Sequence, residues 1–284
     1  MTHAGRSLPQ DLIDRARTAS TTAPVPARDS ATVVVLRDAP DHGIEAYVLR
    51  RLASMSFAPG MYVFPGGSVD PGDAVADIPW AGPPPSQWAA LLSADEPLTR
   101  ALVCAAVRET FEECGVLLAG PDASATACVD ADWAADRAQL QSGAVSLPEL
   151  LVRRQLVLRA DLLRPWAHWV TPEFEPKRFD TRFFVAALPE GQVPAHFRGE
   201  SDRGAWVRPA DALTLQAEQQ IAMLPPTAFT LAELAEFASV ADVLAAAAGR
   251  QFRRNLPKVI VTGDDVRLLL PGDDGYPDDG DTGG

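Results

Sequence analysis

Glu109, Glu112 and Glu113 stand at i, i+3 and i+4 in the segment Arg108-Glu109-Thr110-Phe111-Glu112-Glu113-Cys114-Gly115-Val116. On a helix this spacing projects three carboxylates from one side, opposite an apolar stripe that includes Val103, Val107, Phe111 and Cys114. Three like charges so close either make a solvated face, the common case for an isolated helix, or share a cation. Gly66-Gly67 with Asp70 and Asp73 upstream favours the second, because a Gly-Gly turn lets backbone carbonyls approach a cation that carboxylates also reach. Oxygen-only ligands suit Mg²⁺ or Mn²⁺ and not zinc. The four histidines, His3, His42, His168 and His196, have no metal-ligand spacing, and His168 reads as a packed strand residue. No Gly-rich dinucleotide or P-loop pattern occurs.

At these residues the sequence resembles the Nudix hydrolases, whose box is a Gly, five residues, a Glu, seven residues, then Arg-Glu-apolar-X-Glu-Glu-X-Gly-apolar. Residues 108–116 match the second half, with Thr110 in an apolar slot and Gly115 as the box glycine. Gly67 and, at the right distance, Asp73 in place of Glu meet the first half. Between Asp73 and Arg108 lie 34 residues where the pattern has seven, an expansion of 27. That insert, Phe64-Pro65-Gly66-Gly67, and the stretch from His168 to Phe184 are similar to the coenzyme A diphosphatase branch. The resemblance implies that Glu112, Glu113 and Glu109 hold divalent metal with the Gly66 carbonyl. It further implies that Glu109 is a ligand or the base that orients water, and that Arg108 holds Glu109. The implied substrate is coenzyme A or an acyl derivative, cleaved to 3′,5′-ADP and a phosphopantetheine. Alternatives are a nucleotide-sugar or dinucleotide diphosphatase on the same scaffold, and a ligand-binding regulator without catalysis. Family members often add a loop acid ahead of a late strand, and Glu200 is the candidate, with a solvated loop acid as the other reading.

An anionic substrate needs cations. Arg50 and Arg51 close a strand ahead of the Gly-Gly turn, and Arg178 and Arg182 flank Asp180, so these four are the candidate substrate-binding residues. Surface pairing with the abundant carboxylates is the alternative for each. In the coenzyme A signature an Arg-containing stretch runs into Gly-X-X-X-Phe-Pro-Gly-Gly; Gly60, Phe64, Pro65, Gly66 and Gly67 fit, and Ser56 stands where an Arg is expected.

The elements that must position these groups can be read from periodicity. β-branched or alternating runs predict strands over residues 32–37, 44–51, 61–64, 166–170, 182–187 and 204–207, with a last one near 259–262. Helices are expected over residues 98–114, 209–219 and 231–248. The expected fold is an α/β Nudix sandwich, a mixed sheet between helices. Its parts are a flexible arm (1–29), the hydrolase domain (30–212, insert about 74–97), a C-terminal helical extension packed on it (213–270) and an acidic disordered tail (271–284). The insert, rich in Pro, Gly and Asp, is expected to lie over the substrate mouth and outside the core.

Composition bounds the rest. With 284 residues, 47% hydrophobic and 22% charged, the chain is globular, and no apolar run is long enough to span a membrane. A formal charge of -13 argues against nucleic acid as a partner. The absence of a signal-like apolar segment in the first 20 residues and three cysteines read as free thiols lead to the expectation of a cytoplasmic location. Oligomeric state is not legible.

Overall fold

The computed structural model describes residues 14, 17, 23–55, 58–74, 78–196, 201–262 and 265–277. In chain order its strands are β1 (Arg28–Asp38), β2 (Ile44–Arg51), β3 (Tyr62–Val63), β4 (Gly66–Ser68), β5 (Trp80–Ala81), β6 (Ala119–Gly120), β7 (Val157–Arg159), β8 (Arg164–Val170), β9 (Phe179–Ala187), β10 (Ser201–Val207), β11 (Arg254–Asn255), β12 (Lys258–Thr262) and β13 (Asp265–Leu269). The α-helices are α1 (Pro85–Leu92), α2 (Glu96–Cys114), α3 (Ala134–Gln141), α4 (Leu147–Arg154), α5 (Pro209–Ala217), α6 (Pro225–Leu234) and α7 (Val240–Ala248).

β1 carries the β-branched run and lies inside the main sheet, whose order is β10-β2-β1-β9-β8-β11, with β3 added to β2 and β4 to β1. It runs parallel to β9 and antiparallel to β2 and β4, so the sheet is mixed. Its side chains alternate between two buried faces, as a strand covered on both sides must. Ala31, Val33 and Val35 join one core with α2 and Phe184; Val34 and Leu36 join another with Val48, Phe183 and Val185. Helices α6 and α7 cover the second face through Ala228, Leu231, Leu234, Val240, Val243 and Ala247. The expected α/β sandwich is thus present, and the C-terminal segment is its far layer.

Several expectations need correction. The insert enters the core: Ile78, Trp88 and Leu92 are buried in the α2 core, and the Trp88 ring meets Phe184 edge-on at 5.9 Å. Its prolines start α1 instead of preventing it, since Pro85 occupies the first helical turn, where no backbone donor is needed. The single helix expected over 231–248 is two, because Ser239 caps α7 by accepting the Asp242 N–H at 3.2 Å. α3 and α4 were not read from the sequence at all, although Ser146 and Glu149 form a capping box at the start of α4. Of the tail expected from residue 271, residues 278–284 lie outside the described residues, and in the described part the Tyr276 hydroxyl donates to the Leu256 carbonyl at 2.9 Å. Among the described residues no helix is long and apolar enough to cross a membrane.

Candidate active site

α2 is built to hold its last two turns rigid. Asp95 caps its start by accepting the Leu98 N–H at 2.8 Å, and Gly115, at φ 73°, ends it in the left-handed region that glycine adopts without strain. Leu102, Val103, Ala106, Val107 and Phe111 are fully buried. The other side of the helix faces β4 and the 3₁₀ turn Pro71–Ala74.

Arg108 is the hub of that side. Its Nε donates to Asp73 Oδ1 at 3.0 Å and its Nη2 to Asp73 Oδ2 at 2.9 Å, a two-armed grip on a carboxylate that is 1% exposed. Nη2 also donates to the Ser68 carbonyl at 2.9 Å, while Nη1 reaches Glu109 Oε1 at 2.8 Å and, more loosely, Glu112 Oε2 at 3.4 Å. Asp73 is itself fixed by the Asp70 N–H at 2.9 Å. Burial alone would make the guanidinium easier to deprotonate; its hydrogen bonds to Asp73 and the charges of Glu109, Asp73 and Glu112 outweigh that and raise its pKa. Burial pushes the Glu109 carboxyl up to about 7 against the pull of Arg108, and Glu112 is raised for the same first reason. Glu113 turns to β4 and accepts the Gly66 N–H at 2.8 Å. A side chain at Gly67 would run into the Glu109 carboxylate. Cys104, one turn before Arg108, is a free buried thiol whose pKa is raised well above the usual value, first by burial and then by Asp73.

The family of the NUDT19 Nudix domain matches residues 17–234. The chain belongs to the Nudix hydrolases. Among its relatives are proteins named acyl-coenzyme A diphosphatase NUDT19. The one from Homo sapiens is 30% identical, over 86% of this chain and 76% of its own length. The one from Gallus gallus is 29% identical, over 89% and 81%. The crystal structure of a Nudix hydrolase from Alicyclobacillus acidocaldarius superposes with a TM-score of 0.65 at 30% identity, covering 78% of this chain and 96% of that one. The expectation of an enzyme of the Nudix type agrees with these matches.

Within this Nudix box the structure gathers Gly66, Gly67, Asp73, Arg108, Glu109, Glu112, Glu113 and Gly115. Arg178 and Arg182, expected to bind substrate, are both buried and bound to groups of the protein itself. Arg178 donates to the carbonyls of Thr171 and Val25, pinning the N-terminal segment to the sheet. Arg182 pairs with Asp180 and Asp29, and Asp180 in turn meets His168 Nε2 at 2.6 Å. Arg50 holds Asp202 with two bonds of 2.7 Å on the surface. Arg51, half-buried, ends β2 opposite Ser201. Glu200 and Ser56 lie outside the described residues.

The donor set is chemically right for Mg²⁺ or Mn²⁺, being hard carboxylate oxygens beside a strand with no side chains at residues 66 and 67. In the arrangement described, Glu109 and Glu112 turn to Arg108 and Glu113 to a backbone N–H. Among the described residues no three Asp, Glu, His or Cys side chains converge closely enough to hold an ion as they stand.

Sequence reasoning missed the residues that support the box from outside it. Arg137 Nε and Gln141 Nε2, both on α3, donate to the Glu112 carbonyl at 2.9 and 2.5 Å. Gln192, fully engaged, binds the Leu117 N–H and the carbonyls of Leu117 and Ala127 at 2.9–3.0 Å, and the Ala195 N–H donates to the Cys114 carbonyl at 2.8 Å. The only signal was the spacing of Trp133, Arg137 and Gln141 at i, i+4 and i+8 on a segment not read as a helix.

Proposed function

We propose that this Nudix hydrolase cleaves the diphosphate of coenzyme A or an acyl-coenzyme A, giving 3′,5′-ADP and (acyl-)phosphopantetheine. Glu112, Glu113 and Glu109, with the Gly66 carbonyl, would hold Mg²⁺ or Mn²⁺. The observation that carries the reading is the Arg108–Asp73 brace: it joins two halves of a Nudix box that lie far apart in the chain and sets the glutamates against the Gly66–Ser68 strand. The relatives named acyl-coenzyme A diphosphatase support the choice of substrate.

The metal, when bound, supplies positive charge that polarises the phosphorus and makes the approach of a polyanion to three carboxylates favourable. The chain's own groups do the rest. Glu109 serves as a further ligand or as the base that orients a water and takes its proton as the oxygen bonds to phosphorus. The bond from that phosphorus to the bridging oxygen breaks, and the bridging oxygen leaves with the other phosphate. Arg108 keeps Glu109 in one rotamer, and Asp73 fixes Arg108. Glu200 is proposed as the loop acid that completes the site.

Turnover across a panel of diphosphates, with and without Mg²⁺ or Mn²⁺, tests the reading. Metal-dependent cleavage of coenzyme A in preference to ADP-ribose, NADH and nucleotide sugars is expected. Cleavage of those three with equal efficiency would replace the substrate assignment with a general diphosphatase. No cleavage of any diphosphate would overturn the reaction.

A further inference from the structure

Helix α3 does something that its sequence does not advertise. Its residues Trp133, Arg137 and Gln141, spaced four apart, form one stripe, and the whole stripe lies against the last turn of α2. Trp133, the residue preceding α3, meets Phe111 edge-on at 5.8 Å. The Arg137 Nε and the Gln141 amide converge on a single acceptor, the Glu112 carbonyl, at 2.9 and 2.5 Å. That carbonyl is one of the last four of the helix, which have no partner within it. The two donors from the neighbouring helix fill both lone pairs of that oxygen and fix it from two directions.

The charge placed there is also more than packing requires. A guanidinium at the carboxyl end of a helix is favoured by the helix dipole. This one lies next to the box: its Nη1 sits so near Gly115 that an added Cβ there would be 3.1 Å away, and it is within electrostatic reach of both Glu112 and Glu113. α3 itself is tied down from behind. Asp136, buried at 6% exposure, is held by Arg153 and Arg154 of α4, with Arg154 Nε at 2.7 Å and its guanidinium over the Trp133 ring at 4.7 Å. The chain thus runs from α4 through Asp136 to α3, and from α3 through Arg137 to the turn that bears two of the box glutamates.

We propose that Arg137 is a positioning residue for the Nudix reaction. With Gln141 it fixes the height and rotation of the last turn of α2, and so the points from which the Glu112 and Glu113 carboxylates reach. It touches neither substrate nor reacting atoms. The proposal rests on the diphosphatase reading given above and assigns to it a support that lies outside the Nudix box.

The test compares Arg137→Met, Arg137→Lys and Gln141→Leu in the full-length protein. A charged hydrogen bond is worth roughly 1.5–3 kcal/mol, so Arg137→Met is expected to lower kcat about 10- to 150-fold at saturating metal with KM changed less than about threefold. Arg137→Lys keeps a charged donor on a long arm and should recover at least half of that loss on a logarithmic scale. Gln141→Leu, which leaves Arg137 in place, should lower kcat less than Arg137→Met and guards against a failure of the latter to fold. Mn²⁺ affinity, measured by electron paramagnetic resonance on substrate-free protein, should change at least about threefold in Arg137→Met. A variant with lowered thermal midpoint but wild-type kcat and Mn²⁺ affinity makes Arg137 merely structural and overturns the proposal while the diphosphatase reading stands. A wild-type protein that neither binds Mn²⁺ nor cleaves a diphosphate removes both.

Discussion

Replacing Asp73 by Ala removes the carboxylate that Arg108 grips with two arms. Both groups are buried, at 1% and 6% exposure. Truncating one member of such a pair costs about 3–5 kcal/mol, because the partner's charge loses its compensation. Arg108 retains Glu109, the Ser68 carbonyl and its long contact to Glu112, which places the loss near the low end, about 3 kcal/mol. At roughly 2–4 °C per kcal/mol for a chain of this size, the thermal midpoint should fall by about 6–12 °C, measured by circular dichroism in metal-free buffer. The rate effect is separate. Without Asp73 the guanidinium keeps Glu109, Glu112 and the Ser68 carbonyl as partners and, no longer anchored, competes with any cation for the glutamates. Turnover of coenzyme A, measured well below the variant's midpoint, should therefore drop at least about 10-fold. Asp73→Glu, which restores the charge one methylene further out, should recover most of the rate, whereas Asp73→Asn, with the shape but not the charge, should resemble Ala. A midpoint within about 2 °C of the parent together with unchanged turnover in Asp73→Ala would refute the bracing argument.

Glu112→Gln and Glu113→Gln should each lower kcat by at least about 100-fold with little change in thermal midpoint, since each removes a charge and no volume; near-normal rates at saturating Mg²⁺ would defeat the metal assignment. Coenzyme A should be cleaved about 10- to 150-fold more efficiently than its 3′-dephospho form, and Arg50→Ala or Arg51→Ala should narrow that gap by slowing the faster substrate; equal kcat/KM for the two forms in the wild type would argue against a site for the 3′-phosphate. Trp88→Ala should cost about 3–5 kcal/mol in urea denaturation, because Trp88 is buried against Phe184, and an unchanged midpoint would return the insert to the surface.

The box was legible because its chemistry constrains residue type at fixed spacing. Arg108, the three glutamates and the Gly66-Gly67 turn are recognisable in any order of reading, and β2 is predicted to the residue because its alternation and flanking turns agree. The insert was misread for a definite reason. Pro and Gly read as breakers, whereas Pro85 starts a helix, and among the described residues of the insert Ile78, Trp88 and Leu92 are buried with Trp80 packed against the same core. The partners of the arginines are illegible for a different reason. Nothing local distinguishes a phosphate-facing Arg from Arg178, whose acceptors are the carbonyls of Thr171, seven residues away, and Val25, 153 away. Long-range acceptors of that kind, like the Glu112 carbonyl for Arg137, leave no trace in spacing.

The brace between Arg108 and Asp73 also has an entropic side. The 34 residues between them must close a loop before the pair can form, and relative to a seven-residue connection the added closure entropy is about 1.4 kcal/mol. Docking of Ile78, Trp88 and Leu92 outweighs that sum, each removing a large apolar side chain from water. The insert thus joins the two flanks of the site in sequence, and its buried side chains lie in the same core as the helix that carries the glutamates.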